Sequence, residues 1–474
     1  MTKYLLILVS LCLSVLSFGQ NKFHEIDEFV RIQMRDAHLP NVAIAIVTKD
    51  SVLFQKEYGA DLEKANYLIG SISKSFTAIA VMQLYETGKL DIDRPVNYYL
   101  PWFEYSNKHL SDLITIRHLL NQTTGLPKSA GFFTPKSTAQ NEIVADYKNY
   151  LRSLPIDESA IGQIHIYCNL NYQILGQIIM KASGMTYDEY VKKYIFIPIG
   201  MTKSSASVKE YEGLGLIPGY QYVFGLPLKR QFVFNNNGLA AGDISSNTTD
   251  MATFLQMLLN NGKTATSVIL KESSLKQMQS PFSGRYGMGF SIGDWNGLHS
   301  VRHTGLSKNY GSAINILPKE NHGIVILTNI NSFYAVRHLM DGVIRRLHHQ
   351  EKISYVPYEL YFRYFLLAMV IWSSIDLILK IKKWKKHDYK MHTSGDFKVL
   401  MKLVISVSFA IAWLIVVPHY GNVPLWRMPA LQPDLGYALI IGAFIGVCSA
   451  LIQYFISSNA LNFPSRHASH NSAP

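Results

Sequence analysis

Three apolar stretches crowd the C-terminal part of this 474-residue chain, at about 361–381, 399–417 and 435–456. Each approaches the ~20 residues that a helix needs to cross a bilayer. A chain that carries them cannot fold as one water-soluble body. It divides into a membrane region, 351–474, and a preceding body, 20–350, long enough to bury a core of its own. At the other end, Lys3 and the apolar run Leu5–Leu16 precede Ser17-Phe18-Gly19. That is the pattern of a secretory signal, 1–19, cleaved between Gly19 and Gln20. An uncleaved anchor is the alternative, and either one exports the body.

The placement of charge sets an expected topology. The net charge is +12, yet Lys380 to Lys402 alone holds eight lysines against two aspartates. A short basic loop between two spans marks the cytoplasmic side. The next loop, His419 to Asp434, carries only Arg427 and Asp434 and belongs outside. The body 20–350 is then expected outside the cytoplasm, in agreement with the leader. Tyr358, Tyr361, Tyr364 and Trp384 resemble interfacial anchors, and Asp376 sits where a carboxylate reaches the interface. The excess charge is thus spent on a lipid bilayer partner and not on nucleic acid. The three cysteines are Cys12, Cys168 and Cys448, which allow no disulfide within the body.

Within the body, Asn41–Thr48 and Ser51–Tyr58 are β-branched, apolar runs joined at Lys49-Asp50, the pattern of a hairpin. Helical periodicity comes next in Ser73 to Thr87 with Gly88 as its stop, in Tyr172–Ala182, in Tyr187–Phe196, and in Met251–Leu259 behind an Asn247 cap. Lys128 to Ile143 reads as a mobile surface loop. Strand patterns return at Tyr286–Ile292, Leu298–His303, Asn309–Leu317 and His322–Asn329. A segment that is β at both ends and helical between them is expected to be α+β, with one antiparallel sheet interrupted by a helical insertion.

Ser71 and Lys74 are three residues apart at the head of the Ser73 helix. Residues at that spacing share a helix face, about 5–6 Å apart at Cβ, so the amine can reach the hydroxyl. A serine hydroxyl needs such a base to act as a nucleophile, and the helix N-terminus favours the developing alkoxide. A second copy of the spacing, Ser273 and Lys276, lacks this context and has no assigned role. Acyl transfer further requires a proton donor and an oxyanion hole. Tyr167-Cys168-Asn169 offers a phenol and a carboxamide on a turn before a helix. His303-Thr304-Gly305 ends a predicted strand, where the glycine admits a substrate backbone.

In this order and at these separations, Ser71-x-x-Lys74, Tyr167-x-Asn169 and His303-Thr304-Gly305 resemble the serine β-lactamase and penicillin-binding protein superfamily. The resemblance is to the branch that holds class C β-lactamases, DD-peptidases, D-aminopeptidases and related esterases. It extends to His118–Pro127, Gly238–Asp250 and Tyr286–Phe290, and covers roughly residues 25–345. It implies a β-lactamase/transpeptidase-like fold and a serine acyl-enzyme mechanism that needs no metal and no cofactor. Ser71 would attack, Lys74 would take its proton, and Tyr167 would pass protons to the leaving group. Asn169, His303, Thr304 and Gly305 would bind substrate, and the backbone N–H groups of Ser71 and Leu306 would form the oxyanion hole.

Two residues depart from the pattern. Cys168 replaces a serine, as a filler and not a nucleophile. His303 stands where most class C β-lactamases have lysine, and it can anchor a carboxylate mainly when protonated. This moves the expected activity from β-lactamase towards D-peptidase, amidase or esterase. Substrates are then small molecules or peptides, with peptidoglycan among the candidates. A catalytically silent penicillin-binding or sensor module is the rival of another class.

Overall fold

The computed structural model describes residues 22–60, 65–231, 236–351, 358–386, 397–421, 428 and 433–460. The leader 1–19 and residues 387–396 of the basic loop lie outside these residues. The chain falls into two compact units. One comprises the body up to Pro357, without Tyr222–Leu226; the other comprises Tyr222–Leu226 and the chain from Tyr358 on.

The first unit is built on a six-stranded antiparallel sheet. Its strands are β1 Val42–Val47, β2 Val52–Tyr58, β3 Ser291–Trp295, β4 Leu298–Leu306, β5 Gly311–Leu317 and β6 His322–Thr328. Their order is β2-β1-β6-β5-β4-β3, so strands from both ends of the body meet at the β1–β6 pair. Every residue of β1 and β5 is buried, which explains the unbroken apolar run of β1. Side chains alternate across a strand. Ala43, Ala45 and Val47 join the large core shared with the helices. On the opposite face lie helix α1 (22–36) and helix α5 Phe333–Leu347, locked together by Phe29 against Gly342 and His338.

The insertion between β2 and β3 holds helices α2 Ser73–Glu86, α3 Asn169–Ser183 and α4 Thr248–Leu259. Helix α2 is buried from Ser73 to Met82 without a break. A helix apolar on all sides is a central core element. Phe76 fixes it, with its ring 4.3 Å from that of Phe254 and 5.6 Å from that of Phe196. Gly88, at φ +69, ends the helix in the left-handed conformation expected of its stop.

Two expected elements differ. The 128–143 segment is not a continuous loop: a 3-10 helix covers Lys128–Phe132, and a long helix begins at Gln140. Tyr286–Phe290 is not a strand. Gly289 has φ +78, and a Cβ there would lie 2.9 Å from both Lys74 O and Ser75 Cα. The segment docks its backbone onto α2, with Ser75 Oγ donating to Gly289 O at 2.7 Å.

The second unit contains helices α6 Tyr358–Lys386, α7 Phe397–Gly421 and α8 Pro433–Ala460, with α8 packed on both others. Among the described residues, α6 and α8 are long and apolar enough to cross a membrane. The third expected span falls short: the apolar run of α7 is only Leu403–Val416, bounded by Lys402 and followed by Pro418. Asp376 is met inside the unit, where Lys380 Nζ donates to it at 2.7 Å and Ser449 Oγ at 2.9 Å. Arg363 pairs with Glu359 and with the buried Asp434.

Candidate active site

Tyr67–Leu68 pairs with Ser245–Ser246 and carries the chain to the base of α2. Ile69 N–H donates to Ile244 O at 2.9 Å, and Ile244 N–H to Ser73 Oγ at 3.1 Å. Gly70 then turns at φ +53, a conformation glycine adopts without strain. A Cβ there would lie 2.5 Å from Leu306 N. Ser71 is the middle residue of the 3-10 turn Gly70–Ile72, which runs straight into α2. Its hydroxyl therefore sits at a helix N-terminus, beside the end of β4.

The Lys74 side chain is fully buried one turn on. Its Nζ donates to Ser71 Oγ at 3.0 Å, Asn169 Oδ1 at 2.7 Å and Ala241 O at 2.5 Å. Burial lowers its pKa to about 7, opposed in part by Cys168 and Asp243. Near neutrality the amine is thus partly unprotonated, able to accept the serine proton. Cys168 itself is buried with its thiol pushed up to about 11, a poor nucleophile beside this lysine.

Tyr167 faces Ser71, and burial raises its phenol pKa, so it stays protonated. Lys74 Nζ lies 4.9 Å from its ring centroid. The Tyr167 turn is held from behind by Gln122, whose Oε1 accepts from Cys168 N–H at 3.0 Å and from Asn171 Nδ2 at 2.6 Å. Gln122 adopts φ +61, an uncommon backbone for a residue of this type.

The end of β4 forms the opposite wall. Ser307 N–H donates to Tyr310 O at 3.0 Å, closing the β4–β5 turn. Hydrogen-bonded and non-hydrogen-bonded pairs alternate along an antiparallel ladder. Leu306↔Gly311 is therefore a non-hydrogen-bonded pair, and the Leu306 N–H points away from β5. The other neighbour, β3, reaches only as far as Arg302. Leu306 N–H and Ser71 N–H are thus two donors at one open strand edge. Gly305 permits this approach, since a Cβ on it would lie 2.0 Å from Ile69 O.

His303 is gathered here too. It is 4% exposed. Its Nδ1 lies 3.0 Å from Thr304 O and its Nε2 3.3 Å from Tyr286 Oη. Burial, with Lys74 next, lowers its pKa to about 3. The imidazole is neutral, Nδ1 donates to the carbonyl, and Nε2 accepts from the tyrosine. A neutral ring is the weaker partner for a substrate carboxylate. Thr304 is part-exposed at the same edge.

Lys74, Tyr167, Asn169, His303, Thr304, Gly305 and Leu306 are therefore gathered around Ser71. Sequence reasoning gave no role to Tyr286, Gln122, the Ala241 carbonyl or Asp243. Their segments resembled the family's, but a lone tyrosine, glutamine or acid carries no spacing signal.

A family model described as Beta-lactamase matches residues 26–348. "Protein flp" of Staphylococcus aureus strain COL is 28% identical over 340 residues, covering 68% of this chain and 66% of that protein. The chain thus spans about two thirds of the length of this relative. The protein of the same name from strain MW2 is 26% identical over 422 residues, covering 84% of this chain and 82% of its own. "Penicillin-binding protein 4" of Amycolatopsis lactamdurans is 24% identical over 313 residues, covering 62% and 81%. Among solved structures, the octameric penicillin-binding protein homologue from Pyrococcus abyssi superposes with a TM-score of 0.60 at 25% identity, covering 73% of this chain and 81% of that one. Through residues 26–348 the chain belongs to the β-lactamase family of the serine β-lactamase and penicillin-binding protein superfamily.

Proposed function

We propose that this protein is a membrane-tethered serine acyl hydrolase whose catalytic unit works outside the cytoplasm on D-amino-acid peptides or related amides of the cell envelope. The observation that carries the reading is the buried Lys74 amine, 3.0 Å from Ser71 Oγ and with its pKa lowered to about 7. Ser71 Oγ bonds to the substrate carbonyl carbon while its proton passes to Lys74 Nζ. The carbonyl oxygen takes the negative charge between the Ser71 and Leu306 N–H groups. The bond to the leaving group then breaks, and that group takes a proton through Tyr167. Water, relieved of a proton by the same pair, releases the acyl group. Asn169 Oδ1 is held by Lys74, which leaves its Nδ2 for a substrate carbonyl.

Tethering rests on α6 and α8, whose apolar side chains, Trp372 and Phe444 among them, are 73% and 69% exposed. The lysine asymmetry supports the orientation, the leader 1–19 agrees with it, and α7 would complete a third crossing. An esterase is the second reading, and one observation favours it. Neutral His303, with both nitrogens engaged, is a weak partner for a substrate carboxylate, so neutral esters and amides suit the site.

The test is covalent labelling of the full chain in detergent with a fluorophosphonate and a fluorescent penicillin. Label is expected at Ser71 and not at Ser273. Labelling that survives Ser71→Ala would overturn the assignment, and no label from any acylating probe would leave the silent module.

A further inference from the structure

We propose a second binding site, for a phosphate monoester group, on the face of the β3–β4 hairpin opposite His303, where the guanidinium groups of Arg285, Arg302 and Arg337 gather beside Trp295. The site is separate from the Ser71 cleft and stands whether or not Ser71 is acylated. Side chains alternate across a strand. Ile292 and Val301, paired across the hairpin, belong to the core shared with α2. Ser291, Gly293 and Trp295 of β3, with Ser300 and Arg302 of β4, therefore face the other way, towards α5. Trp295 Nε1 accordingly donates to Asp341 of α5 at 3.2 Å. β3 is the edge strand of the sheet, so no further strand encloses this face.

Arg302 comes from the middle of β4 and is half-buried, with its guanidinium carbon 5.0 Å from the Trp295 ring centroid. Arg337 reaches the same ring from α5, at 5.5 Å. Arg285 crosses from the segment before β3. A Cβ on Gly293 would lie 3.5 Å from its Cδ, so the glycine makes room for the arginine stem. Burial, and after it the charges of Arg285 and Arg337, lower the Arg302 pKa. The nearby acids do not relieve this. Asp341 gives Oδ1 to Trp295 and Asn296, and Oδ2 to Arg345. Asp294 accepts from Gly297 N–H and acts on Arg302 through its charge alone. Arg302 Nη1 donates instead to Ser300 Oγ at 3.2 Å, whose own proton goes to Asn315 Oδ1 at 2.8 Å. Among the described residues, none of the three arginines forms an ion pair.

The chemistry of the cluster selects the ligand. One arginine is enough to cover an indole. Three without a counter-charge leave a local positive field that an anion relieves. Guanidinium forks match both carboxylate and phosphate oxygens. A carboxylate is planar, carries one charge and fills one fork. A phosphate monoester carries nearly two charges, and its three free oxygens point in different directions. Forks arriving from β4, from α5 and from the segment before β3 can therefore hold one phosphate together. The group can be carried by a soluble ester or by a lipid phosphate, and the site recognises what the two share.

The experiment uses the full chain in phosphatidylcholine nanodiscs, titrated with sn-glycerol 3-phosphate and followed by calorimetry and tryptophan fluorescence. Saturable binding is expected, with a fluorescence change that Trp295→Phe abolishes. Arg302→Gln and the exposed Arg337→Gln should each weaken binding about tenfold or more, the value of a charged hydrogen bond. An unchanged far-ultraviolet circular dichroism spectrum shows that each variant is folded. Arg302→Lys keeps the charge but not the fork, and should recover only part of the loss. Acetate at matched ionic strength should bind about tenfold more weakly or worse, since it fills one fork. Discs that contain phosphatidic acid separate the two sources. Loss of glycerol phosphate binding in them identifies a lipid phosphate as the occupant, and unchanged binding identifies a soluble ester. No saturable binding in phosphatidylcholine discs, acetate binding as tightly as the phosphate, or full affinity in the folded Arg302→Gln, Arg337→Gln double variant overturns the site.

Discussion

At the scale of single residues, the chemistry depends on which groups are neutral. Lys74 must lose its proton to act, and its pKa of about 7 is below the ordinary lysine value because burial penalises the ammonium. Protonation switches the base off, so acylation should rise as pH increases through about 7 and level above it. Fluorophosphonate labelling rates between pH 5.5 and 9 measure this. A rate still climbing tenfold per unit above pH 8.5 would show an unshifted lysine. His303, with a pKa of about 3, contributes no limb in that range. Its substitution by alanine removes the Tyr286 contact and should lower a D-Ala-D-Ala peptide and its C-terminal amide by the same factor at every pH. A loss confined to the peptide, and largest at low pH, would restore the charged imidazole.

At the scale of elements, the site is a meeting of the α2 turn with the β4 edge, and glycine makes it possible. Gly305→Ala would drive a methyl into the Ile69 carbonyl and to 2.2 Å from Ser312 Oγ. Both are held in place, since Ser312 Oγ donates to Ile69 O at 2.7 Å. The strand must therefore withdraw, at a cost of about 1–3 kcal/mol for overpacking. Moving Leu306 N–H away from Ser71 should also lower labelling by about 10²-fold or more, the value of one oxyanion donor. Normal labelling by a folded Gly305→Ala chain would place the oxyanion hole elsewhere. The sequence revealed the elements themselves where their signals are local. Ser71–Lys74 spacing, the β1–β2 hairpin and the Asn247 cap are all set within a few residues. Tyr286–Phe290 misled, because alternating apolar residues imitate a strand when Gly289 actually lays the backbone against α2 and Gly287 lays it against the Met278 and Ser280 carbonyls. The protonation state of His303 was illegible for the same reason: it is fixed by neighbours distant in sequence.

At the scale of the whole molecule, the open matter is the side on which chemistry occurs, and the lysines make it testable. Eight lysines against two aspartates between Lys380 and Lys402 oppose translocation of that loop, whereas His419–Asp434 carries one of each sign. The region past the catalytic unit also has a counterpart in a relative, since the 422-residue alignment is too long to lie within 26–348. If α6, α7 and α8 all cross, the body and the 419–434 loop share the outer side, and the basic loop and the tail face inward. In a chain with Cys12, Cys168 and Cys448 replaced by serine, Lys386→Cys and Asn422→Cys should respond oppositely to a membrane-impermeant maleimide applied to intact cells. Asn422→Cys should react, and Lys386→Cys only after the membrane is opened. The decisive element is α7, whose apolar run, Leu403–Val416, is the shortest of the three. If both positions protect or both react, α7 does not cross. Two crossings by α6 and α8 would then return the tail to the side of the body, and a cysteine placed at Ser472 would label together with the catalytic unit.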